Sequence, residues 1–177
     1  MRTTLAITFM SLLAGCGGRE TAAPSAETDA PVSQTVEVGK RVPAYTATWL
    51  DGSRFDLAGE RGNVVMLNLW ATWCGPCRYE IPELEQLHAR YSAQRFKVIG
   101  VSVDEGPVEE VRKFVADQKM TYPVALDPQG RLAGLFRTTV LPTTAIIDRT
   151  GKVVWMSAGI VNMTDTEMIG ALETALR

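Results

Sequence analysis

Two cysteines three positions apart, in Trp73-Cys74-Gly75-Pro76-Cys77, constrain this chain more than any other feature. They follow a continuous apolar run at residues 63–70 (NVVMLNLW), the composition of a strand buried on both faces. They open a stretch, residues 77–94, in which Ile81, Leu84, Leu87 and Tyr91 share one side of a predicted helix. The pair thus sits where a central strand hands over to a helix, at the carboxyl end of a sheet, where open α/β folds place their sites. Gly75 and Pro76 let the chain turn tightly into the helix, and the amide hydrogen that Pro76 lacks is one the first turn leaves unpaired anyway. Helix-start amides favour a thiolate at Cys74, lowering its pKa from the free value of about 8.5. Cys77, one turn on, is placed to attack a mixed disulfide and expel the product thiol.

A Cys-x-x-Cys pair is also half of a zinc site, and zinc needs four ligands, or three plus water. The chain has three cysteines and one histidine. Cys16 lies far off near the N-terminus, His88 lies well beyond ligand spacing, and no second pair exists, so redox chemistry is the reading the residues favour and no metal is expected.

The first 15 residues read as an export signal. Arg2 is a short positive start, residues 5–13 are mostly apolar, and the run is too short for a spanning helix, which needs about 20 residues. Leu13-Ala14-Gly15-Cys16 resembles a bacterial lipobox, which implies cleavage before Cys16 and lipid on that residue; an ordinary secretory peptide with an incidental cysteine is the alternative. Residues 16–38, rich in Ala, Pro, Ser, Thr and Glu, read as a flexible tether with a reach of roughly 25 Å. Residues 39–177 are long enough for one domain with a real core. The net charge of -2 and the lack of a basic stripe argue against nucleic-acid binding.

Within that domain, Asp51-Gly52 between residues 44–49 and 53–57 signals a hairpin. A second buried strand is predicted at residues 96–103 and a helix carrying Val108, Val111 and Val115 that ends near Met120. A short extended piece follows at 122–126, then a short helix at 129–136. Two strands, 143–147 and 152–157, flank the turn Asp148-Arg149-Thr150-Gly151, and a last helix covers 164–177 with Thr164 and Glu167 as a capping box. This order predicts an α/β sandwich in which a parallel βαβ half joins an antiparallel ββα half.

From Asn68-Leu69-Trp70-Ala71-Thr72-Trp73-Cys74-Gly75-Pro76-Cys77-Arg78 through Glu80-Ile81-Pro82-Glu83-Leu84, then Leu141-Pro142-Thr143-Thr144 and Ile147-Asp148-Arg149-Thr150-Gly151, the chain resembles the TlpA/ResA-like branch of membrane-tethered thioredoxin-fold thiol-disulfide oxidoreductases. The resemblance covers residues 39–177. It implies a thioredoxin fold, a central mixed sheet flanked by helices, here with an N-terminal β-hairpin extension. It implies a cis peptide bond at Pro142, beside which Leu141 and Thr143 offer backbone to an extended substrate, with Trp73, Gly75 and Pro76 on the same surface and Trp73 shielding the disulfide. Asn68 stands where thioredoxin has a titratable aspartate. The branch instead has an acidic residue after the next strand; Glu105 falls there as a proton carrier, with Asp104 as the alternative and a solvated loop acid as the plainer reading. His88, Trp49, Trp70 and Trp155 read as packing residues, and Glu80 as one half of a surface ion pair.

The function implied is an extracytoplasmic disulfide reductase, with cytochrome c maturation among its settings. It needs no cofactor beyond the Cys74–Cys77 disulfide, works on protein thiols and disulfides, is re-reduced by a membrane electron carrier, and is expected to be monomeric. Two rivals differ in class. A peroxiredoxin-like peroxidase needs a threonine three residues before its cysteine and a proline upstream; Thr72 is two residues before Cys74 and that proline is absent. A thioredoxin-fold copper chaperone resembles Cys-x-x-x-Cys with a late histidine, and this chain has neither.

Overall fold

The computed structural model describes residues 34–177. The export signal, Cys16 and most of the tether therefore lie outside the described residues. Seven strands form one mixed sheet: β1 (Thr46–Trp49), β2 (Arg54–Asp56), β3 (Val64–Trp70), β4 (Phe96–Ser102), β5 (Val124–Leu126), β6 (Thr143–Ile147) and β7 (Val153–Ala158), in the order β2-β1-β5-β4-β3-β6-β7. Four α-helices accompany them: α1 (Gly75–Tyr91), α2 (Val108–Asp117), α3 (Arg131–Phe136) and α4 (Thr166–Leu176). β3 runs parallel to β4 and antiparallel to β6. The parallel half and the antiparallel half are joined in the predicted manner, and the fold is the thioredoxin fold with β1 and β2 as the added hairpin.

Every residue of β3 is buried, because both faces of the strand are covered. Val64, Met66 and Trp70 point to a core shared with α1, α2 and α4, while Val65, Leu67 and Leu69 point to a second core under the hairpin and α3. Each such aliphatic side chain contributes roughly 1.5–3 kcal/mol by leaving water. Alternation along the strand places Asn68 on the α1 side, a fact the site depends on. Trp70 stacks on Phe114 with centroids 5.2 Å apart, Trp49 lies on Phe55 at 4.3 Å, and Trp155 is buried, all as packing residues. His88 is half-buried: its Nδ1 accepts from the Val98 amide at 3.3 Å and its ring meets Tyr122 edge-on.

Some boundaries differ from the sequence reading. Packing reaches back at least to Val36, which is 3% exposed and donates its amide to the Leu135 carbonyl, inside the segment read as tether. α1 ends at Tyr91; residues Ser92–Gln94 tighten into a 3-10 turn, and Arg95, in the left-handed region at φ 57°, sends the chain into β4. α2 stops at Asp117 rather than near Met120. α4 is capped by Asp165, whose carboxylate accepts from the Glu167 and Met168 amides, while the Thr164 hydroxyl is turned to Asn162. Asp165 wins because a carboxylate at a helix start gains from the dipole as well as from the hydrogen bonds.

Candidate active site: a dithiol backed by a buried carboxylate

Cys74 is the N-cap of α1, and its Sγ accepts from the Cys77 amide at 3.2 Å. The two sulfurs are bonded as a disulfide, with Cα atoms 5.3 Å apart. The sequence favours Cys74 as an exposed group. In this oxidised form it is only 5% exposed, against 1% for Cys77, because the bond draws both sulfurs into the first turn of α1. The order of exposure is the predicted one; the degree is not.

The Leu141–Pro142 peptide bond is cis, as the resemblance implied. Leu69 pairs with Thr143 across β3 and β6, so Pro142 sits beside the end of β3, the same end at which the chain departs for Cys74. The Gly159 amide donates to the Pro142 carbonyl at 2.8 Å, tying this loop to the turn after β7. Thr143 is buried and donates its hydroxyl to the Val140 carbonyl at 2.7 Å, so its side chain shapes the loop from inside. Trp73 is 70% exposed. It walls an open groove of about 320 Å³ with Val103, Glu105, Pro128 and Leu141. Gly75 and Pro76 lie exposed on the helix start. Most of the large apolar side chains left in solvent gather at this end: Trp73, Tyr79 at 77%, Val140 and Ile160. Tyr79, Val140 and Ile160 carried no signal in the sequence, since nothing distinguishes them from core residues until the fold is known.

The two loop acids behave differently. Asp104 is a clamp: it accepts from the Thr72 amide at 3.0 Å, the Thr72 hydroxyl at 2.5 Å and the Ser102 hydroxyl at 2.7 Å, fixing the β3–α1 loop to the end of β4. Glu105 is exposed on the groove wall.

Glu80 overturns its sequence reading as a surface pair. It is fully buried, one helical turn beyond Cys77 on the side of α1 that faces Asn68. Its Oε1 accepts from Asn68 Nδ2 at 2.7 Å, and its Oε2 accepts from the Val161 amide at 3.0 Å. Asn68 Nδ2 also donates to the Thr144 hydroxyl at 2.9 Å. Burial pushes the Glu80 carboxyl up to about 7, against the pull of the two donors. Residues three apart on a helix have Cβ atoms about 5–6 Å apart, so the chain holds a carboxyl poised near neutrality one turn behind its more buried thiol. Glu80 is thus the buried carboxyl next to the dithiol, while Glu105 is the exposed one.

The AhpC/TSA family model matches residues 38–156, about two thirds of the sequence. The chain belongs to the AhpC/TSA family. Within it, the chain is a thioredoxin-fold thiol-disulfide oxidoreductase of the ResA type. It is 34% identical over 121 residues to a thiol-disulfide oxidoreductase ResA of Bacillus cereus, covering 68% of this chain and 69% of that one. It is also similar to a solved Chlorobium tepidum protein assigned as the thiol:disulfide interchange protein DsbE, with a TM-score of 0.74 and 31% identity over 81% of this chain and all of that one. A secreted thiol-disulfide isomerase of Corynebacterium glutamicum shares the fold at a TM-score of 0.70 and 24% identity, over 80% of this chain and 90% of that one. Among the described residues no helix is long and apolar enough to cross a membrane.

Proposed function

We propose that this oxidoreductase works outside the cytoplasmic membrane as a reductant of protein disulfides, with lipid on Cys16 as its anchor. The observation that carries the reductase reading is the buried Glu80 carboxyl one turn behind Cys77. In the reduced protein the Cys74 thiolate attacks one sulfur of a substrate disulfide and releases the other as a thiolate, leaving a mixed disulfide. Cys77 then loses its proton to Glu80, and its thiolate attacks the Cys74 sulfur. The remaining substrate sulfur leaves with the bonding electron pair and takes up a proton. The substrate ends as a dithiol and the enzyme as the Cys74–Cys77 disulfide, two electrons poorer. A membrane electron carrier that itself holds a dithiol returns those electrons.

The exposed apolar side chains of Trp73, Tyr79, Val140 and Ile160 support a polypeptide substrate over a small thiol, because a small thiol needs no such surface. Apocytochrome c thiols are one such substrate class, carried from the family resemblance. The peroxidase alternative is further disfavoured because the threonine nearest Cys74, Thr72, donates its hydroxyl to Asp104.

Two measurements test the reading. Cysteine-trapping in the native host should recover Cys74 and Cys77 of the wild type mainly as thiols and, in a Cys77→Ala variant, Cys74 in mixed disulfides with exported proteins; a wild-type steady state dominated by the disulfide would make the protein an oxidant. Cys16→Ser should free the protein from membranes while leaving disulfide reduction intact; a wild-type protein fully soluble after export would remove the anchor.

A further inference from the structure

The end of the domain opposite the dithiol is rich in cations. Arg41, Arg61, Arg95, Lys97, Arg149 and Lys152 all lie where β3 and β4 begin and where β6 turns into β7. Backbone contacts hold these segments side by side: the Gly62 amide donates to the Arg149 carbonyl at 2.9 Å, the Val64 amide to the Arg95 carbonyl at 2.8 Å, and Arg41 bridges Lys152. The Arg61 Nε lies 3.7 Å, and the Arg41 Cγ 4.0 Å, from the point where a Cβ on Gly151 would stand, and the Arg95 guanidinium reaches within 3.9 Å of the equivalent point on Gly62. Arg149 is committed to the carbonyls of Gln94, Ala175 and Leu176, so its charge is kept at the surface without a carboxylate. Lys97 pairs with Glu60 at 2.7 Å, and Asp148 is engaged by the amides of its own turn. Arg61, Arg95 and Lys152 are exposed and, among the described residues, form no ion pair.

The dithiol end has the opposite balance. Glu105, Glu109 and Glu110 stand exposed around the loop after β4 and the start of α2, with Arg112 paired to Glu109 at 3.3 Å and Glu105 and Glu110 outside any ion pair among the described residues. Of the cations there, Arg78 is folded over the Phe114 ring and onto the Thr72 carbonyl, and Arg137 follows α3. A chain of net charge -2 is therefore polarised along its sheet. A negatively charged surface attracts one end and repels the other, so both effects give the same orientation.

We infer that the Arg61–Arg95–Lys152 end is a docking face for an anionic phospholipid bilayer, holding the domain with its dithiol pointing away from the membrane. The cations are spread over the ends of several strands rather than lining a groove, which suits a sheet of phosphate headgroups and not a single small anion. Guanidinium groups match phosphate oxygens in charge and geometry. The exposed Val38 lies in the same segment as Arg41. This inference goes beyond the anchoring proposed for Cys16 and does not require it.

The test uses the full chain carrying Cys16→Ser, so that no acyl chain contributes and failure of the lipid anchor leaves the result unaffected. Vesicles of mixed phosphatidylglycerol and phosphatidylcholine are compared with phosphatidylcholine alone by sedimentation at low salt. Each cation removed weakens partitioning about fivefold. The Arg61→Glu/Arg95→Glu variant should therefore lose at least about 25-fold of its binding to the anionic vesicles from the two cations removed, and more from the two carboxylates gained, while reducing a soluble disulfide substrate at the unaltered rate. Binding should fall with added salt, and the reduced, vesicle-bound protein should alkylate at Cys74 as fast as the free one. Equal binding to both vesicle types, or binding unchanged by the double reversal, would overturn the inference. So would displacement by inorganic phosphate at matched ionic strength, which marks a free-anion site. Retention on an acidic polypeptide without binding to vesicles would assign the face to a protein partner instead.

Discussion

The two sides of the dithiol carry carboxylates with opposite fates. Behind Cys77, Glu80 is shut in the core and held by Asn68 and the Val161 amide. In front, Glu105 stands in water on the groove wall, beside an Asp104 whose oxygens are committed to the loop backbone and hydroxyls. The same functional group is thus a buried acid with a raised pKa, a solvated surface charge or a clamp according to what surrounds it. Desolvation decides the first case, solvent screening the second and hydrogen-bond saturation the third.

The largest expected effect separates Glu80 from Glu105 directly. Glu80→Gln should slow turnover about 10²-fold, the low end of general acid–base contributions, with mixed disulfide accumulating because Cys77 is not deprotonated. The limb of the pH–rate profile near 7 should vanish with it. A variant that keeps both rate and profile would return the proton-carrier role to the loop acids.

Stability sharpens the contrast next. The Glu80 carboxyl titrates at about 7 when folded and near 4.5 when unfolded, so between these values the folded chain binds the extra proton. Its contribution is complete below about 4.5 and is lost as pH rises through about 7, at most on the order of 3 kcal/mol. Urea unfolding should therefore show wild-type stability falling relative to Glu80→Gln across that window. Parallel curves for the two proteins would mean that Glu80 titrates normally.

Asp104→Ala should cost about 1–2 kcal/mol, since it leaves the Thr72 amide and two hydroxyls without their acceptor. Thermal unfolding measures the loss; the pH–rate profile should keep its shape. The smallest effect belongs to Glu105→Gln, for which turnover should change less than about threefold, in line with an exposed charge. A larger change with a single substrate protein would reveal a cation of that substrate facing Glu105 across the groove. In the reduced protein, alkylation should favour Cys74 over Cys77 by at least about tenfold, as the thiolate at the helix start. Equal labelling would undo the assignment of front and back.

Much of this was written into the chain. The apolar run before Cys74, the Gly-Pro turn and the helical spacing after Cys77 are local patterns, and each dictates its element through short-range sterics and burial. Cys74, Cys77 and Pro142 were legible for that reason, with the family motifs. Glu80 was legible in principle. It falls on the same helical face as Cys77, Leu84, Leu87 and Tyr91, and Asn68 is the one amide in an otherwise apolar strand. The sequence nevertheless favours a surface position for it, because charged residues are so seldom buried and the exception is allowed only where donors wait on other elements. Those donors come from β3 and from the loop after β7, far apart in sequence. Tertiary structure alone could bring them to one carboxylate, gather Tyr79, Val140 and Ile160 around the dithiol, and line up Arg61, Arg95 and Lys152 at the far end of the sheet. Local patterning sets which segments are strands and helices. Which distant side chains desolvate or charge one another depends on packing, and no window of sequence contains that.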